Sequence, residues 1–205
     1  MTGYLLFGIA YAFAAAVQPG PFQTYLISQT LAVGWKRTLP AAFAPLLSDG
    51  PIAVVILSVL SQVPEWFAGL LQLMGGLFLF YLAAAAYGAW RRYDPEKPAQ
   101  PKSGAQSLFK ATAVNLLNPN PYMGWSLVMG PKLLQGWRES PVDGAGLLVG
   151  FYGTLVAITM GIIVLFGAAR TLGPRVSRAL LGLSVIALGC FGVYELWMGG
   201  RGLAR

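Results

Sequence analysis

Apolar residues fill this chain in six long windows, at about 4–31, 39–63, 66–89, 109–133, 143–168 and 178–199, with polar residues gathered between them. Each window offers the ~20 residues that a helix needs to cross the hydrocarbon core of a bilayer. The pattern predicts six transmembrane helices and leaves no stretch for a soluble domain. Two of the windows are interrupted. Gln18-Pro19-Gly20-Pro21 breaks the first, and Asn118-Pro119-Asn120-Pro121 breaks the fourth, with Pro119 following Pro19 at an interval of 100 residues. Proline has no N–H, so these residues free the carbonyls of Ala15, Val17, Asn115 and Leu117 from their i−4 donors. Each proline also pushes the residue before it out of the helical region.

Broken helices at corresponding places in two halves are a sequence sign of a secondary transporter. With three spans per half, the second half enters the membrane from the opposite side. The expected fold is therefore an all-α membrane protein of six transmembrane helices. They form two inverted three-helix repeats, with helices 1 and 4 broken mid-membrane. It makes one transmembrane domain, 1–205: repeat 1 at about 1–90, a cytoplasmic linker at about 91–108, and repeat 2 at about 109–205. Pro95, Pro98 and Pro101 mark the linker.

Composition agrees: 56% of residues are hydrophobic and 10% charged, against about a quarter charged in soluble domains. The net charge of +7 would suggest a nucleic-acid partner in a soluble protein. Here its placement says otherwise. Lys36, Arg37, Arg91, Arg92, Lys97, Lys102, Lys110, Arg170, Arg175 and Arg178 fall in or beside loops one, three and five, whereas Lys132, Arg138, Arg201 and Arg205 fall on the other side. The positive-inside rule puts those three loops in the cytoplasm and both termini outside a cell inner membrane. The expected neighbour of the basic charge is anionic lipid, and no nucleic acid is expected. Ala14-Ala15-Ala16 resembles a cleavage region, but there is no basic segment ahead of it and the apolar run continues. Cleavage as a signal peptide is not expected.

Chemistry is sparse, which narrows the function. The chain has no histidine and a single cysteine, Cys190. A dithiol oxidoreductase, a haem or zinc site and a histidine-based hydrolase all lack their residues. No metal, no cofactor and no enzyme activity are expected. Asp49 is the one acid deep in a window, and no lysine or arginine lies at matching depth. Such a carboxylate costs about 2.5–3.5 kcal/mol on insertion scales, so it should face a cavity, and it is the candidate for proton or ion coupling. Glu195, near the outer end of the last window, reads as an interfacial acid that reaches water.

Around the breaks, Gln18, Pro19, Gly20, Pro21, Gln23, Asn115, Asn118, Pro119, Asn120 and Tyr122 are the candidate substrate-binding residues. Ser28 and Thr30 read as ordinary interhelical hydrogen-bonding groups, and Trp125 as packing. Gly146, Gly150 and Gly153 suit close helix packing or a homodimer.

The combination of Pro19-Gly20-Pro21, Asp49 after a small residue, and Asn115-Leu116-Leu117-Asn118-Pro119 resembles the LysE/RhtB family of amino-acid exporters, from Gln18 through the sixth window. The resemblance implies a six-helix inner-membrane protein that exports amino acids or related small solutes in exchange for protons, with Asp49 as the membrane carboxylate. One departure is visible. Family members often carry a lysine after the Asn-Pro, where this chain has Asn120-Pro121. Losing that cation changes which charge the pocket tolerates. The alternatives are export of another small solute or an inorganic ion on the same architecture, and a membrane-embedded enzyme. A helix N-terminus favours an anion and a C-terminus a cation, so two breaks at one depth suit a zwitterion. The amino-acid carboxylate would sit on N–H groups near Phe22-Gln23 or Tyr122-Met123. The ammonium would meet the carbonyls of Ala15, Val17, Asn115 or Leu117, close to Asp49.

Overall fold

Helix α1 (Thr2–Val17) ends at the first break, and α2 (Pro21–Val33) leaves it at a bend of 64°. Gly20 is extended at the join, and Pro21 opens α2, where a missing N–H costs nothing. The chain then runs through α3 (Trp35–Thr38), a 3-10 turn at Leu39–Phe43 and α4 (Ala44–Ser58) as one apolar path of 24 residues. Next come α5 (Glu65–Arg91) and α6 (Gly104–Leu116), which stops at the second break. Beyond it, α7 (Pro119–Gly124), a π-helical stretch Trp125–Met129 and α8 (Gly130–Glu139) follow without interruption. Two long helices, α9 (Pro141–Ala169) and α10 (Pro174–Leu203), complete the chain. The computed structural model describes residues 2–58, 65–92, 104–169 and 173–203. Most of the expected linker, with Lys97 and Lys102, and Arg170 and Arg205 lie outside the described residues.

Among the described residues four helical paths are long and apolar enough to cross a membrane, and the bent α1–α2 pair makes a fifth. Both expected breaks are present. The fourth window is not among these spans. Its helix starts early, at Gly104, carries Lys110, Thr112 and Asn115, and reaches only 13 residues before the prolines end it. The side beyond the break ends in the polar run Gln135 to Glu139. The outward faces carry Leu6, Val54, Leu77, Val149, Leu165, Leu183 and Ile186, while alanines such as Ala12, Ala16, Ala41 and Ala111 lie wholly inside. Small residues inside and large apolar ones outside are the arrangement a lipid solvent favours, because helices gain there by close approach.

Three helix pairings organise the bundle. Gly8 of α1 meets the backbone of Leu147 and Phe151 on α9, and further along both elements Trp35 meets Gly167, so the first path runs parallel to α9. Gly104 of α6 meets Pro40, and Asn115 of α6 bonds Ser48 and Asp49, so α6 runs parallel to the second path. Gly69 faces Gly199 and Gly76 faces Gly192, so α5 and α10 run antiparallel. On both of these helices the glycines stand seven residues apart, two turns on one face.

Each break is mended from its far side. The Gln23 Nε2 donates to the carbonyl of Ala16 at 3.2 Å and of Ala15 at 3.4 Å. The Tyr122 hydroxyl donates to the carbonyl of Leu116 at 3.0 Å. Ala16 and Leu116 stand three residues before Pro19 and Pro119, so two different side chains reach back to equivalent carbonyls. Tyr122→Phe leaves the partly buried Leu116 carbonyl without that donor, and its expected cost is about 1 kcal/mol. A thermal midpoint in detergent equal to that of the unaltered protein would show that the hydroxyl contributes nothing.

Candidate functional site

The two breaks converge on one cavity of about 150 Å³ in the middle of the bundle. Gln18, Pro19, Gly20 and Gln23 line it from the first break, and Asn115, Asn118, Asn120 and Pro121 from the second. Asp49 and Pro45 of α4 close one side, and Gly20 and Asn120 both line the same space. Three expected residues are elsewhere. Pro21 turns to a smaller cavity, Pro119 is buried, and the hydroxyl of Tyr122 is occupied by Leu116 while its ring packs edge-on against Phe67. Proline and tyrosine at a break serve its geometry first, and here that use consumes them.

Asp49 is 4% exposed. Asn115 Nδ2 donates to its Oδ1 at 3.0 Å and to Ser48 Oγ at 2.7 Å, and Ser48 Oγ lies 3.5 Å from the same carboxylate oxygen. The Ser48 hydroxyl also reaches the carbonyl of Ala44 at 3.0 Å. The indole N–H of Trp125 and the hydroxyl of Tyr152 on α9 complete the ring around the carboxylate. Every one of these partners is neutral. The acid is thus solvated by dipoles and keeps its capacity to bind a proton or a cationic group.

Trp125 therefore does more than pack. It opens the π-helical stretch, and its buried indole N–H lies beside this carboxylate without a hydrogen bond among the described residues. Single π turns often sit at functional sites, where they turn side chains away from the regular helical face. Sequence reasoning also passed over Tyr11, Phe151, Leu155 and Met129, which supply the apolar wall. Tyr11 and Phe151 stack at 6.0 Å between centroids. Tyr152 left one signal, a phenol in an otherwise apolar window, but only packing shows which way it points.

The two helix starts at the cavity differ. Asn118 Oδ1 accepts from the Asn120 N–H at 3.0 Å and caps α7, while no side chain caps α2 at Gly20. The first N–H groups of α2 are left for a ligand or water. The carbonyls are also unequal. The Gln23 amide reaches the Ala15 carbonyl and the Asn118 N–H the Asn115 carbonyl at 3.3 Å, so each of these expected ammonium partners already accepts one hydrogen bond.

A family model described as LysE type translocator matches residues 13–199, the stretch that contains both breaks, Asp49 and all of the cavity lining except Tyr11. The chain belongs to the LysE type translocator family. No curated protein and no solved structure matches the chain. As a LysE type translocator it is a multi-pass membrane protein and a transporter of small solutes, in a family of transporters and not of enzymes.

Proposed function

We propose that this LysE type translocator exports amino acids or closely related zwitterions from the cell across the inner membrane, in exchange for protons. The observation that carries the reading is the convergence of an uncapped helix start and a buried carboxylate on one cavity between the breaks. The free N–H groups at the start of α2 favour a carboxylate. Asp49 attracts an ammonium, and the Tyr11–Phe151 wall accepts an apolar side chain. Gln18, Asn118 and Asn120 add neutral hydrogen-bonding groups, a set suited to a ligand of no net charge. Asp49 is the proton-coupling residue in this reading.

The helix directions support two inverted three-helix repeats in one transmembrane domain. The first path runs parallel to α9, α6 parallel to the second path, and α5 antiparallel to α10. Exchanging the two halves turns the first relation into the second and leaves the third unchanged. A six-span inverted repeat requires all three. The fourth span then consists of α6 and the α7–α8 path together, interrupted and polar because it lines the cavity.

The basic residues support the cytoplasmic side. Lys36, Arg91 and Arg178 lie over the rings of Trp35, Tyr87 and Trp90 at one end, and Lys132 and Arg201 lie over Tyr4 and Trp197 at the other. In a Cys190→Ala background, a cysteine at Glu139 should label from outside and one at Lys36 should not. Both positions are exposed. Equal labelling of both from one side overturns the arrangement.

Purified protein in liposomes, screened for uptake of individual amino acids with and without an imposed pH gradient, tests the function. The expected result is counterflow of at least one zwitterionic amino acid, stimulated by the gradient. Failure of every amino acid, with vesicles shown to be sealed, removes this substrate class. A homodimer through the α9 glycines remains part of the same proposal. Gly150 faces Leu5 of α1, whereas a Cβ added at Gly153 would meet nothing within 4 Å among the described residues, so Gly153 is the glycine left for a dimer contact.

A further inference from the structure

The second buried acid of this protein is Glu195. Its position near the end of the last window suggests an interfacial carboxylate, and the structure corrects this: Glu195 is 7% exposed. The reason is the glycine register of α10 on α5, which brings the helices close and rolls Glu195 inward. The carboxylate borders a cavity of about 10 Å³, with Pro21 from the first break, Leu117 and Asn118 from the second, and Gly75 and Phe78 from α5. Residues of both breaks thus share this cavity with Glu195, while Asp49 lines the larger one.

Among the described residues the Oε2 atom of Glu195 has no hydrogen-bond partner. The carbonyl of Leu117 lacks its helical donor because residue 121 is proline, and it points at Gly75, where an added Cβ would stand 2.7 Å from the oxygen. Asn118 carries an acceptor, Oδ1, bonded to the Asn120 N–H, and the donors of its amide nitrogen, but none of these donors reaches Oε2. No titratable or charged side chain from α2, α5 or α6 lines this cavity among the described residues. An ionised carboxylate here has no donor at hydrogen-bond distance from Oε2, whereas a protonated one supplies its own donor to a cavity lined by Leu117. The space holds about one water-sized group, and hard metal cations need about six oxygen ligands. That argues for a proton over a cation.

We propose that Glu195 is a second proton-binding site, occupied in this conformation, whose deprotonation opens the α10 side of the two breaks. An ionised Glu195 has to be hydrated, and hydration requires α10 to part from Pro21 and Leu117. Proton release is thereby tied to movement of the elements that frame the central cavity. The inference rests on the transporter reading for its physiological use, and its first test needs no substrate.

Infrared difference spectra of the purified protein, recorded against a deprotonated state at high pH, report the carbonyl stretch of any protonated carboxylic acid. Asp49→Asn should retain a carboxylic-acid band at neutral pH, and Asp49→Asn combined with Glu195→Gln should lose it. Glu195→Asp in the same background should shift the band, which keeps the test decisive if the glutamine variant folds poorly. A band that survives Glu195→Gln, or one replaced on adding sodium at constant pH, overturns the proposal. In liposomes, Glu195→Gln should keep substrate counterflow and alter its pH profile, leaving only the dependence that Asp49 contributes. Counterflow with an unaltered pH profile also overturns it. Loss of all amino-acid transport by the unaltered protein would instead count against the transporter reading and leave the infrared result standing.

Discussion

Asp49→Asn is expected to abolish accumulation driven by a pH gradient while leaving the protein folded and still able to exchange substrate, with weaker affinity because the charge facing the ammonium is gone. Asparagine has nearly the size of aspartate and keeps the Oδ1 acceptor that Asn115 and Ser48 address at 3.0 and 3.5 Å. It cannot take up or release the proton. One pH unit is worth about 1.4 kcal/mol, so one exchanged proton sustains at most a ~10-fold substrate gradient. The variant should bring that ratio to about one. Vesicle accumulation under an imposed gradient, with expression and counterflow checked in parallel, measures it. A well-folded Asp49→Asn protein that still accumulates its substrate moves the coupling site elsewhere, and Glu195 is then the first residue to test.

The second large effect is steric. Gly8 lies on the backbone of α9, where an added Cβ would collide with the carbonyl of Leu147 and stand 2.9 Å from the backbone nitrogen of Phe151. Neither obstacle is a side-chain end that can rotate away, so Gly8→Ala must push α1 off α9. Overpacking of this kind costs about 1–3 kcal/mol. The same displacement shifts Ala15 and Gln18 on one wall of the cavity and Phe151 on the other, so transport should fall with stability. Gly3→Ala, whose Cβ meets nothing within 4 Å, is the control on the same helix. Thermal midpoints of the two variants in detergent decide the matter. Equal midpoints would show that α1 is not held by this contact.

Both expectations depend on how much of the molecule could be read before its packing was known. Proline chemistry is local, so the two breaks and the carbonyls they free are visible in Pro19, Pro21, Pro119 and Pro121 alone. What became of those carbonyls was not visible. Gln23 and Tyr122 are different residue types, and nothing in their spacing says that both return to the carbonyl three positions before the first proline. Tyr122 was therefore expected in the pocket and serves the break instead. Trp125 went the other way, from packing to the carboxylate, because the π-helical stretch that begins with it leaves no mark in the sequence.

Composition and window length by themselves determined the bilayer as solvent, the all-α class and Asp49 as the acid without a matching base. Those properties belong to single residues and single helices, and they hold whatever the helices pack against. Burial depth and partnership belong to pairs of helices. Glu195 sits as many residues from a helix end as an interfacial acid should, and only the register of Gly69 and Gly76 on Gly199 and Gly192 carries it inside. The tertiary structure alone decided that Asn115, Trp125 and Tyr152, from three separate elements, meet at Asp49. A side chain's depth depends on which neighbour covers it, and that is set by contacts between residues far apart in the chain.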